Sequence, residues 1–179
     1  SKTMHTEIIT LGNGCFWCTE AIFQQVKGVN KVTSGYSGGH VENPSYEEVC
    51  EKTTGHAEVL QVEFDTTQVT IDEILEIFWQ THDPTTLNRQ GADAGTQYRS
   101  AVFFHTPEQQ KEADAWKQKL NDSHVFPNPI VTEITAASEF YVAEDYHQNY
   151  FNENGTEPYC QIVIKPVSYT HLTLPTNRE

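Results

Sequence analysis

The clearest periodicity in the chain runs from Thr70 to Trp79. Ile71, Ile74, Leu75, Phe78 and Trp79 follow the i, i+3, i+4, i+7, i+8 spacing of a helix with one face on a core, and Thr70 with Glu73 supplies a capping box. A second box, Thr106 with Gln109 around Pro107, predicts a helix to residue 120 with Ala113, Trp116 and Leu120 facing inward. Residues 57–64 alternate instead. Leu60, Val62 and Phe64 share one face of a strand, and Glu58 has the same parity, so a carboxylate points where apolar side chains point.

Shorter β-prone runs cover residues 7–11, 31–36, 98–104, 130–135 and 161–165, and helix-compatible stretches cover 15–26 and 143–151. Strands and helices mixed without strict alternation predict an α+β fold, with helices against a mixed, mostly antiparallel sheet. The polar, glycine-containing segment 85–97 reads as a long loop, a common carrier of function. With no repeat and no dividing linker, residues 1–166 are expected to form one catalytic domain. Residues 167–179 lose all periodicity and read as a tail or a cloning scar.

The 179 residues carry 11 Lys and Arg against 25 Asp and Glu, a formal charge of −14. Such a balance argues against binding a phosphate backbone, which needs clustered cations, so neither nucleic acid nor an anionic membrane is an expected partner. No apolar run approaches the roughly twenty residues that cross a bilayer, which predicts a soluble cytoplasmic chain. In a reducing compartment the four cysteines, at 15, 18, 50 and 160, read as thiols, not as a disulfide framework.

Cys15 stands between a glycine turn, Gly12-Asn13-Gly14, and a helix start, where unpaired N–H groups and the helix dipole favour a negative sulfur. Cys18 follows three residues on, the spacing at which two sulfurs can meet across a first helical turn. The bland alternative is a pair of small buried residues. Cys50 and Cys160 stand alone, so no zinc site and no cofactor is expected. Glu58, on an apolar face, would be desolvated into holding a proton near neutrality; an edge strand or a salt bridge would remove that effect. Tyr36, Tyr46 and Tyr98 lie beside turns, where a phenol can donate to a substrate oxygen or merely edge the core. Asp93 in the loop and His56 beside Glu58 read by composition as solvated or structural.

Taken together, Gly14-Cys15-Phe16-Trp17 with Glu20, the run from Gly35 to Gly39, Thr54-Gly55-His56-Ala57-Glu58-Val59, the run from Asp83 to Gly91, Asp93 with Gly95-Thr96-Gln97-Tyr98-Arg99-Ser100, and the run from Ala143 to Gln148 resemble the A-type peptide methionine sulfoxide reductases. The resemblance spans about residues 7 to 165. It implies a two-layer α+β sandwich that reduces the S epimer of methionine sulfoxide, free or in proteins, with thioredoxin as reductant. It places the nucleophile on Cys15 and the acid on Glu58, matches Tyr46 and Tyr98 to phenols that bind the sulfoxide, Asp93 to a residue holding an active-site water, and Phe16 and Trp17 to a pocket for the methyl group. Cys18 replaces the family's usual glycine, and the family's glycine-rich recycling tail is absent. Cys18 is therefore expected to resolve the sulfenic acid formed on Cys15, with Cys160 a weaker candidate and Cys50 a core residue. A thioredoxin-like disulfide oxidoreductase would share the Cys-x-x-Cys helix start but needs neither a buried Glu58 nor a methyl pocket. An acidic binding domain with inert cysteines would need none of these.

Overall fold

The computed structural model describes residues 5–150. The strand expected at 161–165, Cys160 and the tail at 167–179 lie outside the described residues. Six strands form one sheet: β1 (Thr6–Asn13), β2 (Val29–Ser37), β3 (Ala57–Asp65), β6 (Ser100–Phe104), β7 (Glu133–Ala136) and β8 (Phe140–Val142), in the order β7-β6-β1-β3-β2-β8. Every pairing is antiparallel except β6 with β7, so the sheet is mixed and mostly antiparallel as expected. The two remaining strands, β4 (Arg89–Gln90) and β5 (Asp93–Ala94), form a separate small hairpin inside the expected loop.

Helix α1 (Phe16–Gln24) packs against β2 and β3, α4 (Pro107–Ser123) against β6 and β7, and α3 (Ile71–Gln80) against α4. The main core joins Leu60, Val62 and Phe64 of β3 to Ile74, Leu75, Phe78 and Trp79 of α3 and to Trp116 and Leu120 of α4. The parity argument for β3 therefore holds. Ala57 and Val59, of the opposite parity, pack with Ala101 and Phe103 on the other face.

The capping box of α3 is complete, with Thr70 Oγ1 accepting from Glu73 N and Glu73 Oε1 accepting from Thr70 N, both at 3.0 Å. The box expected at α4 is half made. Thr106 Oγ1 accepts from Gln109 N, but the Gln109 side chain accepts from His105 N and donates to Ile8 O, tying the helix start to β1. Besides the β4–β5 hairpin, two further elements were not expected: the edge strand β8, and the short helix α2 (Tyr46–Cys50), whose box between Ser45 and Glu48 was present in the sequence. The helix expected over 143–151 is replaced, among the described residues, by one 3-10 turn at Asp145–His147. Gln148 explains the difference. Its side chain accepts from Ser34 N at 3.0 Å and donates to Ser34 O at 2.9 Å, strapping the segment to β2 in place of helical hydrogen bonds.

Candidate active site

Cys15 is the N-cap of α1, reached through Gly14 at φ +97°, a left-handed conformation that glycine adopts without a Cβ penalty. The N–H groups of Trp17 and Cys18 at the helix start pull the thiol pKa down, as the helix-start argument requires, although neither makes a capping hydrogen bond to the sulfur. They do not win. Burial, then the carboxylate of Glu58, push the thiol well above its ordinary range, and Asp93 adds to the effect. The expectation of a favoured thiolate is thus corrected: the resting group is a thiol, because desolvation, with the acidic groups of Glu58 and Asp93 close by, outweighs the pull of the helix start.

Glu58 lies on β3, which is central in the sheet between β1 and β2, and is 1% exposed. An edge position is ruled out, and no salt bridge involves it among the described residues. Its Oε1 accepts from Phe16 N at 3.3 Å, which seats the carboxyl at the first residue after Cys15, while Oε2 is buried without a hydrogen-bond partner. Its pKa is raised to about 8, chiefly by burial; the Phe16 amide opposes the rise and Asp93 adds to it. The group is a carboxylic acid at neutral pH with one oxygen unused.

Around this pair stand the other expected residues. Tyr46 opens α2, Tyr98 closes the 3-10 turn Thr96–Tyr98, and Asp93 opens β5. Burial raises both phenols above their ordinary range, and both feel Glu58; Tyr98 also feels Asp93 and Cys15. Cys15, Glu58, Tyr46, Asp93 and Tyr98 are therefore brought together. Tyr36 is not available to a ligand: it is fully buried and its hydroxyl donates to Glu144 Oε1 at 3.0 Å. His56 serves the fold, accepting from Gly39 N at Nδ1, with Nε2 2.6 Å from Val41 O.

Trp17 forms an aromatic wall. Its indole lies against Tyr150 with ring centroids 4.1 Å apart and against His147 at 5.5 Å, and its Nε1–H donates to His147 Nδ1 at 2.8 Å. Phe16, 1% exposed, packs beneath on Tyr36 and His147. That bond makes Nδ1 an acceptor, so the neutral ring carries its proton on Nε2, 3.8 Å from Glu144 Oε1. Burial lowers the His147 pKa and favours that neutral form. Glu144 also accepts from Tyr46 N at 2.9 Å, so one histidine and one carboxylate tie the tryptophan wall to the Tyr46 backbone. Sequence reasoning quoted this stretch without assigning it a role, since the segment has no apolar period to place it.

Cys18 is disulfide-bonded, whereas Cys15 and Cys50 are free. The pairing is therefore not the Cys15–Cys18 bridge that the spacing allows. Cys50 is not a core residue: it is half-buried. Among the described residues no three His, Cys, Asp or Glu side chains are grouped to hold a metal ion, and no helix is long and apolar enough to cross a membrane.

Comparison with known proteins gives a consistent match. The family model described as peptide methionine sulfoxide reductase matches residues 7–175. A protein of Leptospira borgpetersenii serovar Hardjo-bovis, named peptide methionine sulfoxide reductase MsrA, is 55% identical over 160 residues, covering 89% of this chain and 90% of its own. The crystal structure of Mxr1 from Saccharomyces cerevisiae in reduced form is similar with a TM-score of 0.82 and 34% identity, over 91% of this chain and 94% of that one. Mxr1 in complex with Trx2 is similar at TM-score 0.56 and 26% identity, over 82% and 86% of the two chains.

Proposed function

Because this chain belongs to the peptide methionine sulfoxide reductase family, we propose that its reduction of methionine sulfoxide runs on Cys15 as nucleophile and Glu58 as acid. The observation that carries this reading is the Phe16 N–H to Glu58 Oε1 bond, which holds a protonated carboxyl beside the sulfur with Oε2 unengaged.

A sulfoxide oxygen is a poor leaving group until protonated. Glu58 gives its proton to that oxygen as the Cys15 sulfur attacks the substrate sulfur, and the thiol proton replaces the one Glu58 has lost. Tyr46 and Tyr98 donate to the same oxygen as its charge grows. Meanwhile the substrate sulfur becomes sulfonium-like. The Trp17 face, with Phe16 behind it, holds the S-methyl and stabilises the positive charge, while Asp93 keeps a water at the site.

The protonated oxygen leaves as water, and the Cys15 and substrate sulfurs stay joined. A water then attacks the Cys15 sulfur, and the S–S bond breaks with its electron pair going to the substrate sulfur. Methionine leaves, Cys15 is left two electrons oxidised as a sulfenic acid, and the spare proton returns to Glu58. A second thiol then displaces that oxygen as water and forms a disulfide. Cys18, one helical turn away, is our choice for it. A further thiol attacking Cys18 would return Cys15 to the free form, which matches a fold holding Cys15 free and Cys18 in a disulfide. Thioredoxin resets the enzyme, a role supported by the similarity to Mxr1 in its complex with Trx2. A thioredoxin-reset thiol enzyme fits the reducing cytoplasm, and the fold and site fit one catalytic domain over residues 1–166.

The test is to offer each epimer of a blocked methionine sulfoxide with dithiothreitol. Consumption of the S epimer alone is expected; equal consumption of both, or of neither, overturns the reading.

A further inference from the structure

Gln90 belongs to none of the groups given a role above, yet its side chain is fully engaged. Its Oε1 accepts from Asp83 N at 2.8 Å and its Nε2 donates to Asp83 O at 2.9 Å, so one amide pairs with both main-chain groups of residue 83 as a neighbouring strand would. The stem of the same side chain lies over Gly14. A Cβ built on Gly14 would fall 2.7 Å from Gln90 Cγ and 3.0 Å from Gln90 Cβ, so the two residues are in close contact at the turn that delivers Cys15. Across the hairpin, Gln90 is paired with Asp93. Thr86 Oγ1 donates to Arg89 O at 2.7 Å and Gly95 N to Asn88 O at 2.8 Å, which close the loop behind it.

These contacts form one connected path: residue 83 at the end of the α3 segment, the Gln90 amide, the Gly14 turn, and Asp93 opposite Gln90. We propose that Gln90 is a positioning residue, whose amide locks the 83–97 loop against the Gly14 turn and so holds the Asp93 carboxylate beside Cys15 and Glu58. The proposal rests on the reading of Glu58 as the acid. Its consequence is electrostatic. Asp93 is one of the groups that keep Glu58 protonated, alongside burial, so a loop that swings away weakens the hold on that proton. The other titratable groups that face Glu58 are Cys15 at the start of α1, Tyr36 on β2, Tyr46 and Cys50 on α2, and Tyr98 on the 3-10 turn. None of them sits on the 83–97 loop that Gln90 clasps, so Asp93 is the group whose place depends on the clasp.

Gln90→Met separates the two functions of the side chain, since it keeps a stem over Gly14 and removes both hydrogen bonds. The measurement is the pH dependence of the single-turnover release of methionine from full-length reduced enzyme, in wild type, Gln90→Met, Asp93→Asn, the double variant and Glu58→Gln. In wild type the rate falls as pH rises through about 8, the pKa of Glu58. Gln90→Met and Asp93→Asn should each move that fall to lower pH by the same interval, and the double variant should move it no further. A Gln90→Met midpoint equal to wild type, or a double variant displaced by both intervals, overturns the proposal. Glu58→Gln must erase the fall; if the fall persists there, it is the acid assignment that fails. Should Gln90→Met not fold, Gln90→Leu, also neutral and without either hydrogen bond, should give the same displacement. A Gln90→Leu profile superposable on wild type would equally overturn the proposal.

Discussion

Replacing Glu58 by Gln should make the protein more stable and far slower. Gln keeps an Oε1 acceptor for Phe16 N and fills the same volume, so the seat of the carboxyl at the start of α1 survives. Only the proton is lost. General acid catalysis contributes typically 10²- to 10⁴-fold, so the single-turnover release of methionine should slow by about 10² to 10⁴, on the order of 3 to 5 kcal/mol of barrier.

Stability should move the other way, and the sign follows from linkage. Below pH 4.5, the ordinary carboxyl value, the group is protonated folded or unfolded and contributes nothing. Between 4.5 and about 8 the unfolded chain has lost the proton that the folded chain retains, so stability falls as pH rises. Above 8 the penalty is complete, at most about 5 kcal/mol at roughly 1.4 kcal/mol per unit. Glu58→Gln removes that penalty, so urea denaturation at pH 8 should show a gain of up to a few kcal/mol that shrinks toward zero by pH 4.5. A variant that is slow and also less stable at pH 8 would refute the reasoning, because it would make Glu58 a structural group.

His147→Phe keeps the ring stack with Trp17 but removes the acceptor for its indole N–H; at about 0.5–1.5 kcal/mol for one hydrogen bond, kcat/KM for a blocked sulfoxide should fall by about 2- to 12-fold, with melting temperature as the control for fold. The raised pKa of Cys15 predicts slow alkylation of this thiol by iodoacetamide at pH 7 in the absence of substrate, accelerating as pH rises beyond 9; fast labelling at pH 7 would contradict the burial argument. Thr70→Ala breaks the capping box of α3, and should lose about 1 kcal/mol in chemical denaturation while single-turnover rates stay unchanged.

The sequence was most legible where one periodicity acted over several residues. The apolar stripe of α3 and the parity of β3 each fixed a buried face, and β3 carried Glu58 inward with it because a strand has only two faces. Elements defined by tertiary pairing were harder to read. β8 has three residues and exists through its register on β2, and the 3-10 turn at Asp145–His147 replaces a helix because Gln148 finds its partners on Ser34. The site divides similarly. Cys15 was visible from its glycine turn and helix start, but its protonation state was not, since burial and Asp93 come from segments remote in sequence. His147 and Glu144 act through distances of 2.8 to 3.0 Å to α1, α2 and β2 that no local pattern encodes.

Mass spectrometry of Cys18→Ser after one equivalent of methionine sulfoxide, with no reductant present, reports directly on where oxygen goes. One methionine released per chain, with one added oxygen on the peptide containing Cys15 that a sulfenic-acid reagent traps, is the expected result. Methionine released with the Cys15 peptide unchanged, or with the oxygen on another residue, would contradict it.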